Sequence, residues 1–307
     1  MKKILLNIFS ALLVIAVFYF LGREFIKNWA EIRAYSFHFN FWLLFVSSLA
    51  YLATLTILAF GWHLILRYLH HPIPFADTFL YFFITQPAKY IPGKIWIGVT
   101  RMKFCKRHGI PHSITMLTTG TEAVLEIMAG SYISFVAILQ SGSFGKFSLW
   151  GTLIIAVAGL VLLIPRVFYF FINLFLKIVR REPIPREMRV SFSKLFVLQI
   201  NYLVGMFGLG IAQLLFLQSF APVSSSNFPF LISLGTFSYV ASILAIFTPS
   251  GLGVREGIWY LALKGIVLPH VGFIFAFVSR IWTIVIEALM LFICVPALWI
   301  KEKKEIL

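Results

Sequence analysis

The chain consists of long apolar segments separated by short basic ones. Six of these segments approach or exceed roughly 18 apolar residues, the length at which a helix can cross a bilayer. They cover residues 4–22, 41–66, 113–140, 147–172, 195–220 and 271–298. This pattern predicts an all-α integral membrane protein in which residues 1–307 form a single polytopic membrane domain.

Two further apolar segments are interrupted near their middle by proline and glycine. Residues 76–101 are broken at Pro92 and Gly93, and residues 228–268 are broken at Pro249. Such breaks are tolerated at membrane depth only where protein or a water-filled cavity surrounds them. We therefore expect about six transmembrane helices and two re-entrant broken-helix hairpins. If both hairpins cross the bilayer fully, the count becomes eight transmembrane helices.

Composition and charge agree with a membrane location. The chain is 60% hydrophobic and only 12% charged, whereas soluble domains carry about 25% charged residues. Its net charge of +15 follows the positive-inside rule, since most basic residues lie between spans on one predicted side. The chain is thus predicted to lie in the cell (inner) membrane with both termini cytoplasmic, and residues 173–194 form a cytoplasmic basic linker. Membrane lipids are the expected partners, and nucleic acid is not.

The order of segments repeats along the chain. Residues 1–140 and residues 147–298 each follow the order span, span, broken hairpin, span. Three crossings in each half would insert the second half upside down relative to the first. Arg101 and Arg255 occupy similar places in the two halves. Inverted repeats with interrupted helices are typical of transporters, with the binding site near the bilayer midplane.

Charged residues also occur inside the predicted spans. Glu122 and Glu126 are four residues apart and share one helix face, and Arg280 precedes Glu287 by seven residues. A charge at the bilayer centre costs at least about 2.5–3.5 kcal/mol, so it faces a cavity or a partner. We expect these residues to handle substrate or protons. The alternative is structural ion pairing, for example of Glu126 with Arg280 or of Glu287 with Arg255.

The second break, FTPSGLGVREG, has the residue types of an anion site. Gly251 and Gly253 allow close backbone approach, and a helix N-terminus offers free N–H donors to an anion. Arg255 can bind a phosphate or carboxylate through two hydrogen bonds. Lys89, Lys94 and Arg101 offer the same chemistry at the first break. No spacing of cysteines, histidines or acids in the sequence points to a metal site, a cofactor or catalytic residues.

Four motifs together resemble the lysylphosphatidylglycerol synthase transmembrane-region family. They are KYIPGKIWIGVTRMKFCKRHGI, TEAVLEIMAG, FTPSGLGVREG and SRIW. That family includes the lipid flippase portion of bacterial multiple-peptide-resistance proteins. The positions that match its motifs are Pro92, Gly93, Lys94, Arg101, Glu122, Glu126, Gly251, Gly253, Arg255, Glu256 and Arg280.

What the resemblance implies is movement of a lipid with a polar or anionic headgroup between bilayer leaflets. The expected headgroup contacts are Lys94, Arg101, Gly251, Gly253, Arg255 and Arg280. The residues expected to balance charge or carry protons are Glu122, Glu126, Glu256 and Glu287. The lipid is expected to be anionic or prenyl-linked.

Two other functions fit the same sequence pattern. One is an integral-membrane enzyme or an accessory subunit of envelope glycolipid or glycan assembly, which would use the carboxylates as acid or base. The other is a secondary transporter of an ion or small solute, which would share the inverted repeat. An enzyme changes the mass of its lipid, whereas a flippase changes only the leaflet in which the lipid lies.

Overall fold

The computed structural model describes Ile26 and residues 39–91, 95–140, 147–178, 183–245 and 248–306. The predicted first span, residues 4–22, lies outside the described residues. So do Pro92, Gly93 and Lys94 of the first predicted break.

The described part is helical. Its helices are α1 Phe41–Tyr68, α2 Phe75–Thr85, α3 Trp96–Arg107, α4 His112–Gln140, α5 Phe147–Leu162, α6 Pro165–Ile178, α7 Phe192–Gln218, α8 Phe228–Leu244, α9 Val254–Leu263 and α10 Pro269–Ile306. Short 3₁₀ turns at Gln86–Tyr90 and Pro249–Gly251 follow α2 and precede α9. The predicted spans 41–66, 113–140, 195–220 and 271–298 thus correspond to α1, α4, α7 and α10.

Helices α1 and α7 form the largest helix–helix contact of the described part. Glycines on α7 allow the close approach, because a side chain there would collide with α1. A Cβ at Gly205 would lie 2.8 Å from Leu58, and one at Gly208 would lie 2.7 Å from Thr54. Small residues at helix interfaces are the usual basis of close packing in membranes. Helices α4 and α8 pack beside this pair.

Four described helical segments are long and apolar enough to cross a membrane. They are Phe41–Tyr68, Phe192–Gln218, Ser225–Leu244 and Pro269–Lys303. A fifth is obtained if the bent α5–α6 pair is taken as one span. The 29-residue α4 is not in this set, although its sequence suggested a span. The structure therefore supports a multi-pass protein, and the totals of six or eight crossings stay predictions.

The predicted span over residues 147–172 is bent and is not one continuous helix. Helix α5 ends at Leu162, α6 begins at Pro165, and the two are bent by 74°. Proline lacks the N–H that would continue the helical hydrogen bonding, and its ring clashes with the preceding turn. Helix α6 also continues to Ile178, into the stretch predicted to be linker.

The second break lies where the sequence placed it. Helix α8 ends at Leu244, and α9 begins only at Val254. In the turn between them, Ser250, Gly251 and Gly253 have φ angles of 49°, 69° and 84°. This left-handed backbone favours glycine, since a Cβ is strained there. At Gly251 a Cβ would also lie 2.6 Å from the Cα of Ser242 on α8, so the turn packs directly on that helix.

The first break is a turn between α2 and α3. Helix α2 ends at Thr85, the 3₁₀ turn covers Gln86–Tyr90, and α3 begins at Trp96. This turn contacts both the turn Pro249–Gly251 and helix α10. The two breaks, which are about 160 residues apart in the chain by their numbering, therefore meet in the fold.

Candidate functional site

A buried ion pair connects α3 to α4. Arg101 is 1% exposed, and its guanidinium donates to both carboxylate oxygens of Glu122, one of these bonds measuring 3.3 Å. The Arg101 guanidinium also lies over the Trp62 ring of α1, 4.0 Å from its centroid. The Trp62 indole N–H donates to Thr118 Oγ1 on α4 at 3.1 Å. Arg101 on α3 thus contacts both α1 and α4 and connects these three helices.

Glu126 lies one turn further along α4 and has a different environment. It is buried, and its Oε2 accepts a hydrogen bond of 3.1 Å from the Tyr239 hydroxyl on α8. None of the described lysines or arginines forms an ion pair with it. It lies close enough to Glu122 to interact with it electrostatically. Glu126 is therefore a buried acid that has a hydrogen-bond donor but no ion-pair partner in the described part.

Glu287 on α10 accepts three hydrogen bonds from distant parts of the chain. Lys89 Nζ donates to Oε1 at 2.5 Å, and the Tyr51 hydroxyl donates to the same oxygen at 2.6 Å. The Tyr90 hydroxyl donates to Oε2 at 3.0 Å. Lys89 and Tyr90 belong to the first break, whereas Tyr51 belongs to α1. One carboxylate thus fixes the first break and α1 to α10.

Glu256 and Arg280 stabilise the second break. The Gly253 N–H donates to Glu256 Oε2 at 2.6 Å, so this carboxylate caps the first turn of α9. Arg280 on α10 donates to the Ser250 carbonyl at 3.0 Å, and its NH1 lies 3.7 Å from Glu256 Oε1. The backbone of the break is therefore held by one acid from its own helix and one arginine from α10.

Arg255 is adjacent to these groups and has no such partner. Its side chain is half-buried, and no described residue forms a hydrogen bond or ion pair with it. Its Nε is buried without a hydrogen-bond acceptor, as is the NH2 of Arg280. The two guanidinium groups are close enough to repel each other, and Arg255 also interacts electrostatically with Tyr51, Glu256 and Tyr90. Two arginines at the second break thus have unused donors, which can bind an anion bidentately.

Among the described residues, the charges in this region form neutral pairs except at two positions. The pairs Arg101–Glu122, Lys89–Glu287 and Arg280–Glu256 are each neutral. Arg255 and Glu126 are the described charged members of the predicted set that these pairs leave over, since Lys94 lies outside the described residues. A buried charge without a partner is costly, and such residues within a membrane commonly mark a substrate or ion pathway.

The structure places the predicted site residues in two groups. Arg101, Glu122 and Glu126 lie between α3, α4 and α8. The second break and α10 hold Gly251, Gly253, Arg255, Glu256, Arg280 and Glu287. Lys94 and the break residues Pro92 and Gly93 lie outside the described residues, and the backbone of Pro249 lies in the second turn.

The ion pairs that the sequence suggested are wrong. Glu126 does not pair with Arg280, and Glu287 does not pair with Arg255. Glu287 instead binds Lys89, and Arg280 binds Glu256. The sequence gives spacing along one helix, and it does not show which helix of the other half faces that position.

Sequence reasoning missed the tyrosines of the site. Tyr51, Tyr90 and Tyr239 each donate to a buried carboxylate. Tyrosine is common in apolar helices, so its presence alone is not a signal of function. A usable signal was the Lys89–Tyr90 pair directly before the first break. In the part of the chain that is described, no three histidine, cysteine, aspartate or glutamate side chains could together hold a metal ion.

Arg101→Met should lower the free energy of unfolding by about 3–5 kcal/mol, because it leaves Glu122 buried and unpaired. Replacing both residues with methionine should cost less than the single change. Thermal unfolding in detergent, followed by tryptophan fluorescence, measures both. The matched control is Arg107→Gln, which breaks the exposed pair with Glu302 and should change stability by less than about 1 kcal/mol. Equal losses in the buried and exposed variants would contradict the structural role of Arg101.

Comparison with known families gives one match. The model of the family described as lysylphosphatidylglycerol synthase TM region matches residues 7–290 of this chain. That range includes both breaks and all the charged residues of the two groups. No curated protein matches the chain.

Proposed function

The chain belongs to the lysylphosphatidylglycerol synthase transmembrane-region family, and we propose that it moves a lipid with a polar or anionic headgroup between bilayer leaflets. Because this family is a family of membrane domains, membership is consistent with a function that involves membrane lipids. The observation that carries the finer proposal is the unpaired Arg255 beside Arg280 at the second break.

The phosphate of the headgroup would bind between these two arginines. Guanidinium groups match phosphate oxygens in shape and charge, and each can donate two parallel hydrogen bonds. An incoming phosphate would satisfy the buried Nε of Arg255 and NH2 of Arg280 and would relieve the repulsion between the two cations. The N–H of Gly253, the residue directly before α9, is already used by Glu256. The arginine side chains, rather than that N–H, would therefore provide most of the binding.

The other predicted residues take supporting places in this proposal. Gly251 and Gly253 shape the turn from which Arg255 projects, and Lys94 stays a predicted headgroup contact. The guanidinium of Arg101 is occupied by Glu122, so we place Arg101 in the framework around the site. The lipid tail would stay in the bilayer, beside the exposed apolar faces of the long helices.

Arg255→Gln should slow translocation of phosphatidylglycerol by about ten- to a hundredfold, the size expected when charged hydrogen bonds to a phosphate are lost. The assay uses proteoliposomes with acyl-labelled fluorescent phosphatidylglycerol, whose outer-leaflet fraction is destroyed by dithionite. The matched control is Lys264→Gln at the other end of α9, an exposed cation that should leave the rate unchanged.

The same samples separate this function from the alternatives. Mass spectrometry of the recovered lipid should show no change in mass, whereas an enzyme would produce a new species. Full translocation activity of Arg255→Gln would contradict the proposed headgroup site. A wild-type rate equal to that of protein-free liposomes would remove the flippase function for this lipid.

Glu126 is proposed to carry a proton or to balance charge during transport. This buried acid accepts a hydrogen bond from Tyr239, and it forms no ion pair with a described lysine or arginine. Glu126→Gln keeps the shape of the side chain and removes its ionisation. This variant should lose any response of the translocation rate to an imposed pH gradient. Tyr239→Phe keeps the carboxyl group and should lower the rate only about fivefold, the effect of one hydrogen bond. A gradient response that persists in Glu126→Gln would contradict the assignment.

The order of elements supports an inverted repeat. Each half contains a long helix, a broken pair and a second long helix, namely α1, α2–α3 and α4, then α7, α8–α9 and α10. The two breaks contact each other, as they would on either side of a shared site. In this proposal the two halves insert into the membrane in opposite orientations, and each broken helix pair forms a re-entrant hairpin.

Single-cysteine labelling tests this orientation. In a background without Cys105 and Cys294, Lys264→Cys should react with a membrane-impermeant maleimide on intact cells. Lys106→Cys, at the corresponding end of α3, should react only after the membrane is permeabilised. Both positions are exposed in the structure. Labelling of both on intact cells is the result expected for eight full crossings, and it would overturn the re-entrant arrangement.

A further inference from the structure

A second group of arginines surrounds a cavity far along the chain from the two breaks. The cavity has a volume of about 350 Å³ and is lined by Pro165, Arg166, Arg186 and Arg189. Pro165 and Arg166 begin α6, directly after the 74° bend. Arg186 and Arg189 belong to the segment between α6 and α7. We call this cavity the Arg166 pocket.

The walls of the Arg166 pocket are fixed by hydrogen bonds. The Ile184 N–H donates to Asn173 Oδ1 on α6 at 2.8 Å. The Val190 N–H donates to the Tyr169 hydroxyl, also on α6, at 2.9 Å. The segment that contains Arg186 and Arg189 is therefore bonded to α6 at both ends. The three arginines lie in one place because the backbone between them is held there.

The cations of the pocket have few partners within the protein. Among the described residues, no hydrogen bond or ion pair involves the side chains of Arg166 and Arg186. Arg189 donates to the Ile184 carbonyl at 3.4 Å and lies over the Tyr169 ring, and its Nε is buried without an acceptor. Three positive charges around one cavity repel each other. An anion bound in the cavity would remove that repulsion and use the free donors.

The position of the pocket favours a lipid as the source of the anion. Arg189 lies three residues before the start of α7, a helix that can cross the membrane. Phe170, Phe171 and Leu174 on α6 are exposed apolar side chains close to the pocket in sequence. Exposed apolar patches of this kind mark contact with a membrane or a partner. A lipid can place its phosphate among the arginines while its acyl chains cover this apolar surface.

We propose that the Arg166 pocket binds the phosphate of an anionic phospholipid headgroup, at a site separate from the one that involves Arg255. The ligand class is a phosphodiester with an uncharged headgroup, such as phosphatidylglycerol. Lipid bound there would hold the segment between α6 and α7 at the membrane surface, next to the bend at Pro165.

Native mass spectrometry of the full chain in detergent, titrated with phosphatidylglycerol, tests this site. The measurements are made in an Arg255→Gln background, so that the proposed transport site contributes little to binding. Adding Arg166→Gln and Arg186→Gln should weaken binding about thirtyfold, which corresponds to the loss of two interfacial cations at about 1 kcal/mol each. Both side chains are exposed, so folding should be unaffected. The matched control is Lys177→Gln, an exposed cation on α6 outside the cavity, which should change affinity less than about twofold.

Two competitors decide the source of the phosphate. Phosphatidylcholine should bind more weakly than phosphatidylglycerol, because its ammonium group would be repelled by the arginines. Inorganic phosphate should displace the lipid only at concentrations far above that of the lipid. Equal competition by inorganic phosphate would overturn the lipid as ligand. Unchanged affinity after loss of Arg166 and Arg186 would overturn the site itself.

Discussion

The arrangement of this protein depends on the need to neutralise charges that are buried among apolar helices. A carboxylate or guanidinium loses several kcal/mol of solvation when it leaves water, and only a close partner compensates for that loss. Arg101–Glu122, Lys89–Glu287 and Arg280–Glu256 meet this need. Each pair involves a helix or turn next to a break, so the same contacts that neutralise charge also hold the interrupted helices in place.

The hydrogen bonds of two buried acids, Glu287 and Glu126, connect the halves of the chain. Glu287 in the second half accepts from Tyr51, Lys89 and Tyr90 of the first half. Glu126 in the first half accepts from Tyr239 of the second half. A change in the charge of either acid would therefore weaken a contact between halves. This is the physical reason for connecting Glu126 with transport, since protonation at this position would alter how the halves hold each other.

Residues of the same type have different roles here because their surroundings differ. Glu256 caps the helix that follows the second break, whereas Glu126 forms no ion pair with any described lysine or arginine. Arg101 forms an ion pair with Glu122 beside the Trp62 ring, whereas Arg255 forms no ion pair with the described acids. The arginines of the Arg166 pocket form a third class, since they belong to α6 and to the segment that follows it and line a cavity. Charge that stays unpaired after folding is what separates candidate binding residues from framework residues.

The sequence by itself determined the membrane class, most of the long helices and both breaks. The length of an apolar segment predicts α1, α7 and α10, and the proline and glycine residues predict the turn at Pro249–Gly251. Both are local properties of the sequence, because they depend only on residues that are near each other in the chain. The sequence did not predict the bend before Pro165, because a continuous run of apolar residues fits a straight and a bent span equally well. Only the tertiary structure decided which charges meet. The partners of Glu287 are about 200 residues away, and the packing of α1, α10 and the first break brings them together. Whether an arginine holds the fold together or can bind a ligand depends on those distant neighbours, which the local sequence does not contain.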